Sequence, residues 1–110
     1  MIFDQIGNTS IITQEKVSVI ELVKKLQAIY PKFEKHNIIV ALNSLDAFTE
    51  SEIAEFLQLS KKHKESKHSF VIVSNKIDLD SVPDELVVVP TILEAHDIIE
   101  MEDMERDLGF

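Results

Sequence analysis

Short apolar runs alternate along the chain with longer stretches in which apolar residues recur every third or fourth position. Ile2–Ile6 and Thr9–Thr13 are β-prone runs joined by the turn dipeptide Gly7-Asn8, which predicts a hairpin. Ser18 with Glu21 is a capping-box pair, and Ile20, Val23, Leu26 (or Leu22) and Ile29 follow it at helical spacing. Pro31 predicts an end or kink of that helix near Tyr30. Residues 37–42 are apolar after Asn37, the pattern of a strand covered on both faces.

The alternation continues beyond that strand. Thr49 with Glu52 repeats the capping signature ahead of Ile53, Phe56, Leu57 and Ser60 on one face. The polar stretch 61–67 closes the second helix, its lysines suited to the negative end of a helix dipole. Phe70–Val73 reads as a buried strand, 74–84 as a loop or one short helical turn, and 86–89 as a further apolar strand. Pro90 leads to Thr91 with Glu94, a third capping pair, and to a helix reaching about Leu108 with Gly109 as its stop. Ile92, Ala95, Ile98, Ile99, Met101 and Met104 are expected to pack that helix on the sheet. The order ββαβαβ(α)βα predicts one α/β domain over residues 1–110, with a mostly parallel central sheet behind an N-terminal hairpin.

Composition narrows the function classes. With 110 residues there is length for one core, and 45% hydrophobic with 28% charged residues is a globular balance. The formal net charge of −9 is unevenly spread. Ten lysines nearly balance nine acids in residues 1–77, whereas 78–110 hold eleven acids and Arg106 as the sole basic residue. An acidic third of that kind would repel a nucleic-acid backbone. The absence of cysteine removes disulfides, thiol nucleophiles and zinc–thiolate sites. The first ten residues lack a basic segment and an apolar core, so no signal peptide is expected, and no apolar run is long enough for a bilayer. A cytoplasmic protein without nucleic-acid or membrane partners is the expectation.

Candidate chemistry is sparse. Asn75-Lys76-Ile77-Asp78 follows a strand and matches the Asn-Lys-x-Asp pattern with which GTPases read guanine. A GTPase also needs a Gly-Lys-Ser/Thr phosphate loop, and the only glycines here are Gly7 and Gly109. A weak nucleotide-binding regulator is the alternative this motif leaves. His36, His63, His68 and His96 form no H-x-H or H-E-x-x-H pair. His36 and His68 precede strands and are expected to be solvated, and His96 belongs to a helix surface. Glu102 and Asp103 are adjacent helix positions that point apart. No catalytic residue, metal or cofactor is expected.

In its order of elements and in two stretches, the chain resembles the STAS domain, the fold of bacterial anti-sigma-factor antagonists and of sulfate-transporter tails. Residues 48–57, Phe48-Thr49-Glu50-Ser51-Glu52-Ile53-Ala54-Glu55-Phe56-Leu57, occupy the place of the family's signature loop and following helix. Pro90-Thr91-Ile92-Leu93-Glu94-Ala95 resembles the start of its last helix. The resemblance implies a STAS-like α/β fold and a non-catalytic regulatory module for an unidentified protein partner, with homodimerisation possible. It places the contact surface at 46–53 and 74–80, with Asp46, Glu50, Glu52, Asn75 and Asp78 as partner-binding residues.

In the same alignment Ser51 matches the family's phosphoacceptor, Thr49 stands at its Asp, and Glu52 replaces a Gly. Ser51 and Thr49 are therefore the phosphoacceptor candidates. A phosphate there would gain from the helix N-terminus, but Asp46, Glu50 and Glu52 would oppose it. A permanently acidic loop that mimics the phosphorylated state is the alternative, and an ordinary helix start capped by Thr49 is the plainest one. The last helix, with Glu94, Asp97, Glu100, Glu102, Asp103, Glu105 and Asp107, offers either a second electrostatic surface or a solubilising face. Its ending is also similar to short STAS-like proteins that carry the name ribonuclease Z. The His-x-His-x-Asp-His metal motif of that nuclease is absent, which leaves at most an accessory link to tRNA 3′-processing.

Overall fold

Gly7 turns the chain at a φ of 59°, the positive value that a two-residue hairpin loop with glycine first requires. It joins β1 (Ile2–Ile6) to β2 (Thr9–Thr13) in antiparallel register, Phe3 opposite Ile12 and Ile6 opposite Thr9. These elements come from a computed structural model that describes residues 2–13, 19–42, 50–75, 80 and 82–109, with the backbone alone at 19 and 50–53. From β2 onward every pairing is parallel. β3 (Asn37–Ala41), β4 (Phe70–Val73) and β5 (Val87–Val89) follow in the sheet order β1-β2-β3-β4-β5. The register lines up Ile12, Val40, Ile72 and Val88 as one row across the sheet, and Ile11, Ile39, Val71 and Val87 as the next. Side chains alternate between faces along a strand, so the two rows feed two separate cores.

α1 (Val19–Ile29) and α2 (Glu50–Glu65) close one face. There Leu22, Leu26, Tyr30, Phe33, Phe56 and Leu59 pack on Ile12, Val40, Phe70 and Ile72. Pro31 sits in a short 3-10 turn, Tyr30–Lys32, that ends α1 one residue before Tyr30, as its missing N–H dictates. Leu22, not Ile20, belongs to the buried stripe: Ile20 is 47% exposed while Leu22, Val23 and Leu26 face inward. α2 ends in a Schellman arrangement. Lys67 N donates to Lys64 O at 2.9 Å and His68 N to His63 O at 3.4 Å, with Lys67 held at φ 68°.

α3 (Ile92–Asp107) covers the opposite face. Thr91 caps it, its Oγ1 accepting from Glu94 N at 3.2 Å, and Gly109 follows the helix at φ 82°. Its expected apolar face is only partly used. Ala95 and Ile99 are buried and Ile98 packs beside them, whereas Ile92, Met101 and Met104 are exposed. The helical phase explains the difference, since Ala95, Ile99, Glu102 and Arg106 recur at i, i+4, i+7 and i+11 on the side that meets the sheet.

Candidate functional site

Parallel neighbouring strands leave a sheet at the same end, and β3 and β4 do so here. Leu42 N donates to Val73 O at 2.8 Å, and Ser74 N to Val89 O at 2.9 Å, so the three carboxyl ends finish side by side. Asn75, two residues beyond the end of β4, is exposed at that end. α2 must start near it. Its last turn touches the opposite end, where His63 bonds to the residue just before β3, and sixteen residues span about 24 Å. Five strand residues span only about 17 Å. Glu50, Ser51 and Glu52 are the first turn of α2, and the topology brings them to the same end of the sheet as Asn75. Asp46, Thr49 and Asp78 lie outside the described residues, and so do the side chains of Glu50, Ser51 and Glu52.

The amino end of the sheet carries a bonded polar cluster. His63 is fully buried in the α1–α2 core, and its Nε2 lies 2.6 Å from His36 O. A carbonyl only accepts, so Nε2 carries the proton and Nδ1 accepts from Tyr30 Oη at 2.7 Å. Burial holds the imidazole down at a pKa of about 4, despite the favourable bond to His36 O, and the charges of His68 and Arg106 lower it further. His36 Nδ1 shares a 2.9 Å hydrogen bond with Ser10 Oγ, so His36 is tied to the sheet and half-buried. His68, also half-buried, has its pKa lowered by burial and then by Arg106.

On the other face, polar residues pin α3 to the strand starts. Ser69 Oγ donates to Glu102 Oε1 at 2.5 Å, and Asn37 Nδ2 donates to Asp103 Oδ2 at 3.3 Å. Arg106 donates to Ser69 Oγ at 3.1 Å and pairs with Asp103 Oδ1. Asn37 Oδ1 also accepts from Ser69 N at 2.8 Å. Glu102 and Asp103 thus do not merely solubilise the helix; both reach strand-start residues. Each ring nitrogen of His63 is bonded, and Ser69 and Arg106 are bound to carboxylates, so the cluster fastens α2 and α3 to the amino end of the sheet. Among the described residues, no group of three or more histidine or acidic side chains is arranged to hold a metal ion. Nor is any described helix long and apolar enough to cross a membrane.

No family model matches the chain and no curated protein matches it. Solved structures do. The chain is similar to a structure from the molecular architecture of the stressosome, described as a signal integration and transduction hub. The TM-score is 0.62 with 11% identity, over 89% of this chain and 95% of that one. A serine-to-glutamate variant of RsbS from Moorella thermoacetica is similar to the same extent, with a TM-score of 0.62 and 12% identity over 89% and 95%. Both are STAS-domain structures. The fold is STAS-like.

Of the expected contact surface, 46–53 with 74–80, the structure describes the backbone of 50–53 and residues 74, 75 and 80, and the first turn of α2 and Ser74-Asn75 lie at the carboxyl end of the STAS-like sheet. The likeness to the proteins named ribonuclease Z has no counterpart in either comparison. Sequence reasoning missed the amino-end cluster. His63 hides in a run of lysines, yet Phe56, Leu59, Ser60 and His63 fall at i, i+3, i+4 and i+7, which was the available signal. Asn37 and Ser69 gave none, because polar residues at strand starts look like loop residues, and Arg106 gave none, because a charged residue near a helix end looks solvated.

Proposed function

We propose that the domain is a non-catalytic regulatory module that works in the cytoplasm by binding another protein. The observation that carries this reading is the STAS-like topology, which brings the first turn of α2 and Asn75, just beyond β4, to one end of a parallel sheet. The partner contacts Asp46, Glu50, Glu52, Asn75 and Asp78. The solved neighbours support a regulatory role of this kind, one coming from a signal integration and transduction hub.

Ser51, and secondarily Thr49, is the position at which phosphorylation would act. A phosphate there would sit near the free amides of the first helical turn, which favours it, and beside Glu50 and Glu52, which oppose it. Those two carboxylates also supply negative charge without any kinase. The constitutively acidic loop and the switched loop therefore predict different results. Native lysate is passed over the immobilised protein, over Ser51→Ala with Thr49→Ala, and over Glu50→Lys with Glu52→Lys. A switched loop is recognised by a phosphate on Ser51 or Thr49 in the protein purified from its own cells, read by mass. A constitutive loop is recognised by partner recovery that falls at least tenfold on charge reversal and is unchanged in the alanine pair. Recovery unchanged by every substitution contradicts the proposed surface.

A further inference from the structure

The outward side of α3 is unlike a simple solvated face. Leu93 and Leu108 are 73% and 72% exposed, and Met104 and Met101 are 60% and 50% exposed. They fall at i, i+8, i+11 and i+15, a single stripe along the helix on the side away from Ala95 and Ile99. Acids edge this stripe on both sides. Glu100 and Asp107 follow one border, Glu94 and Glu105 the other, and Asp97 lies within it, all of them exposed. The arrangement explains why α3 buries so few of its apolar residues: it carries two apolar faces, and the sheet covers only one.

We propose that this outward face of α3 is a docking surface for a basic amphipathic helix of a partner protein. The inference rests on the reading of the domain as a protein-interaction module and adds a second surface to it. Charge selects the occupant. Two acidic borders along an apolar stripe complement a helix whose leucine-like face is edged by lysine or arginine. A second copy docking by the same face would set acid against acid. A membrane surface rich in anionic lipid would repel it as well. The two methionines suit the role because an unbranched thioether side chain adapts to varied apolar partners.

The test uses a synthetic peptide of leucine and lysine with its leucines on one helical face. A control peptide has the same composition, shuffled so that no face gathers them. Binding is read by fluorescence anisotropy and mapped by backbone amide shifts. Saturable binding is expected, with shifts concentrated on α3, at least tenfold weaker for the shuffled peptide. It weakens at least tenfold again in Met101→Gln with Met104→Gln, whose thermal melt stays at the wild-type value because both sites are exposed. Glu50→Lys with Glu52→Lys leaves peptide affinity unchanged, which separates this surface from the one at the sheet end. Equal binding of both peptides, retained affinity in the methionine variant, or shifts away from α3 would overturn the proposal. So would self-association of the free protein that disappears in the methionine variant.

Discussion

Against one face of the sheet, α1 and α2 press Leu22, Leu26, Phe56 and Leu59 onto Ile12, Val40, Phe70 and Ile72. Against the other, α3 alone presses Ala95 and Ile99 onto Ile39, Val71 and Val73, and makes up the difference with hydrogen bonds from Asn37, Ser69 and Arg106. The first face is closed by volume, with three fully buried phenylalanines at Phe33, Phe56 and Phe70. The second is closed by two buried side chains, Ile98 beside them and a set of polar pins at one end. Apolar area removed from water is the larger source of stability, so the α1–α2 face holds the fold. The α3 face is the one with surface to spare for partners.

The largest break in this comparison is Phe70→Ala. It should cost about 4 kcal/mol in urea unfolding, because the cavity opens where β4 meets α2 and no neighbour can collapse into it. A cost near 1 kcal/mol would mean that this core is not the main one. Acid comes next. The folded pKa of His63 is about 4 against an ordinary 6.5, so between those values the unfolded chain binds a proton that the folded chain does not. Stability from this group is complete above pH 6.5 and falls as the pH drops towards 4. The loss is on the order of 3 kcal/mol. The ring protons of His63 should titrate near pH 4 by NMR, and a midpoint above 6 would contradict the buried neutral tautomer.

On the α3 face, Ile99→Ala should cost about 2 kcal/mol, less than Phe70→Ala, because a helix held by few side chains can settle into the gap. Equal costs would erase the contrast between the faces. The smallest effect is a gain. Lys67 holds a left-handed φ of 68° that a side chain disfavours, so Lys67→Gly should raise stability by about 1 kcal/mol in the same urea series. A loss would show that the lysine side chain contributes more than the backbone strain costs.

The same contrast marks how far the sequence could be read. The hairpin was legible from Gly7-Asn8 between β-prone runs, and β3 and β4 from apolar runs too short for helices. Thr91 with Glu94 announced α3, and its Oγ1 bond to Glu94 N bears that out. The face of α3 was not legible, since apolar residues on both sides of a helix leave no single stripe to choose. Ile20 misled for a related reason, fitting the spacing that Leu22 fills. His63 was obscured by the charges around it in sequence, although its helical phase points inward. The candidate site was legible as a place and not as a set of contacts. Topology brings Glu50, Ser51, Glu52 and Asn75 to one end of the sheet, while Asp46, Thr49 and Asp78 fall outside the described residues.

Native-state hydrogen exchange tests the central claim most directly, that the α1–α2 face holds the fold and α3 is the lightly held element that presents surface to a partner. Amides of α3 should exchange through a local opening at least tenfold faster than those of β3, β4 and α2, which should open only with global unfolding. If α3 amides are protected to the same level as the central strands, the two faces are equally secured and the account fails.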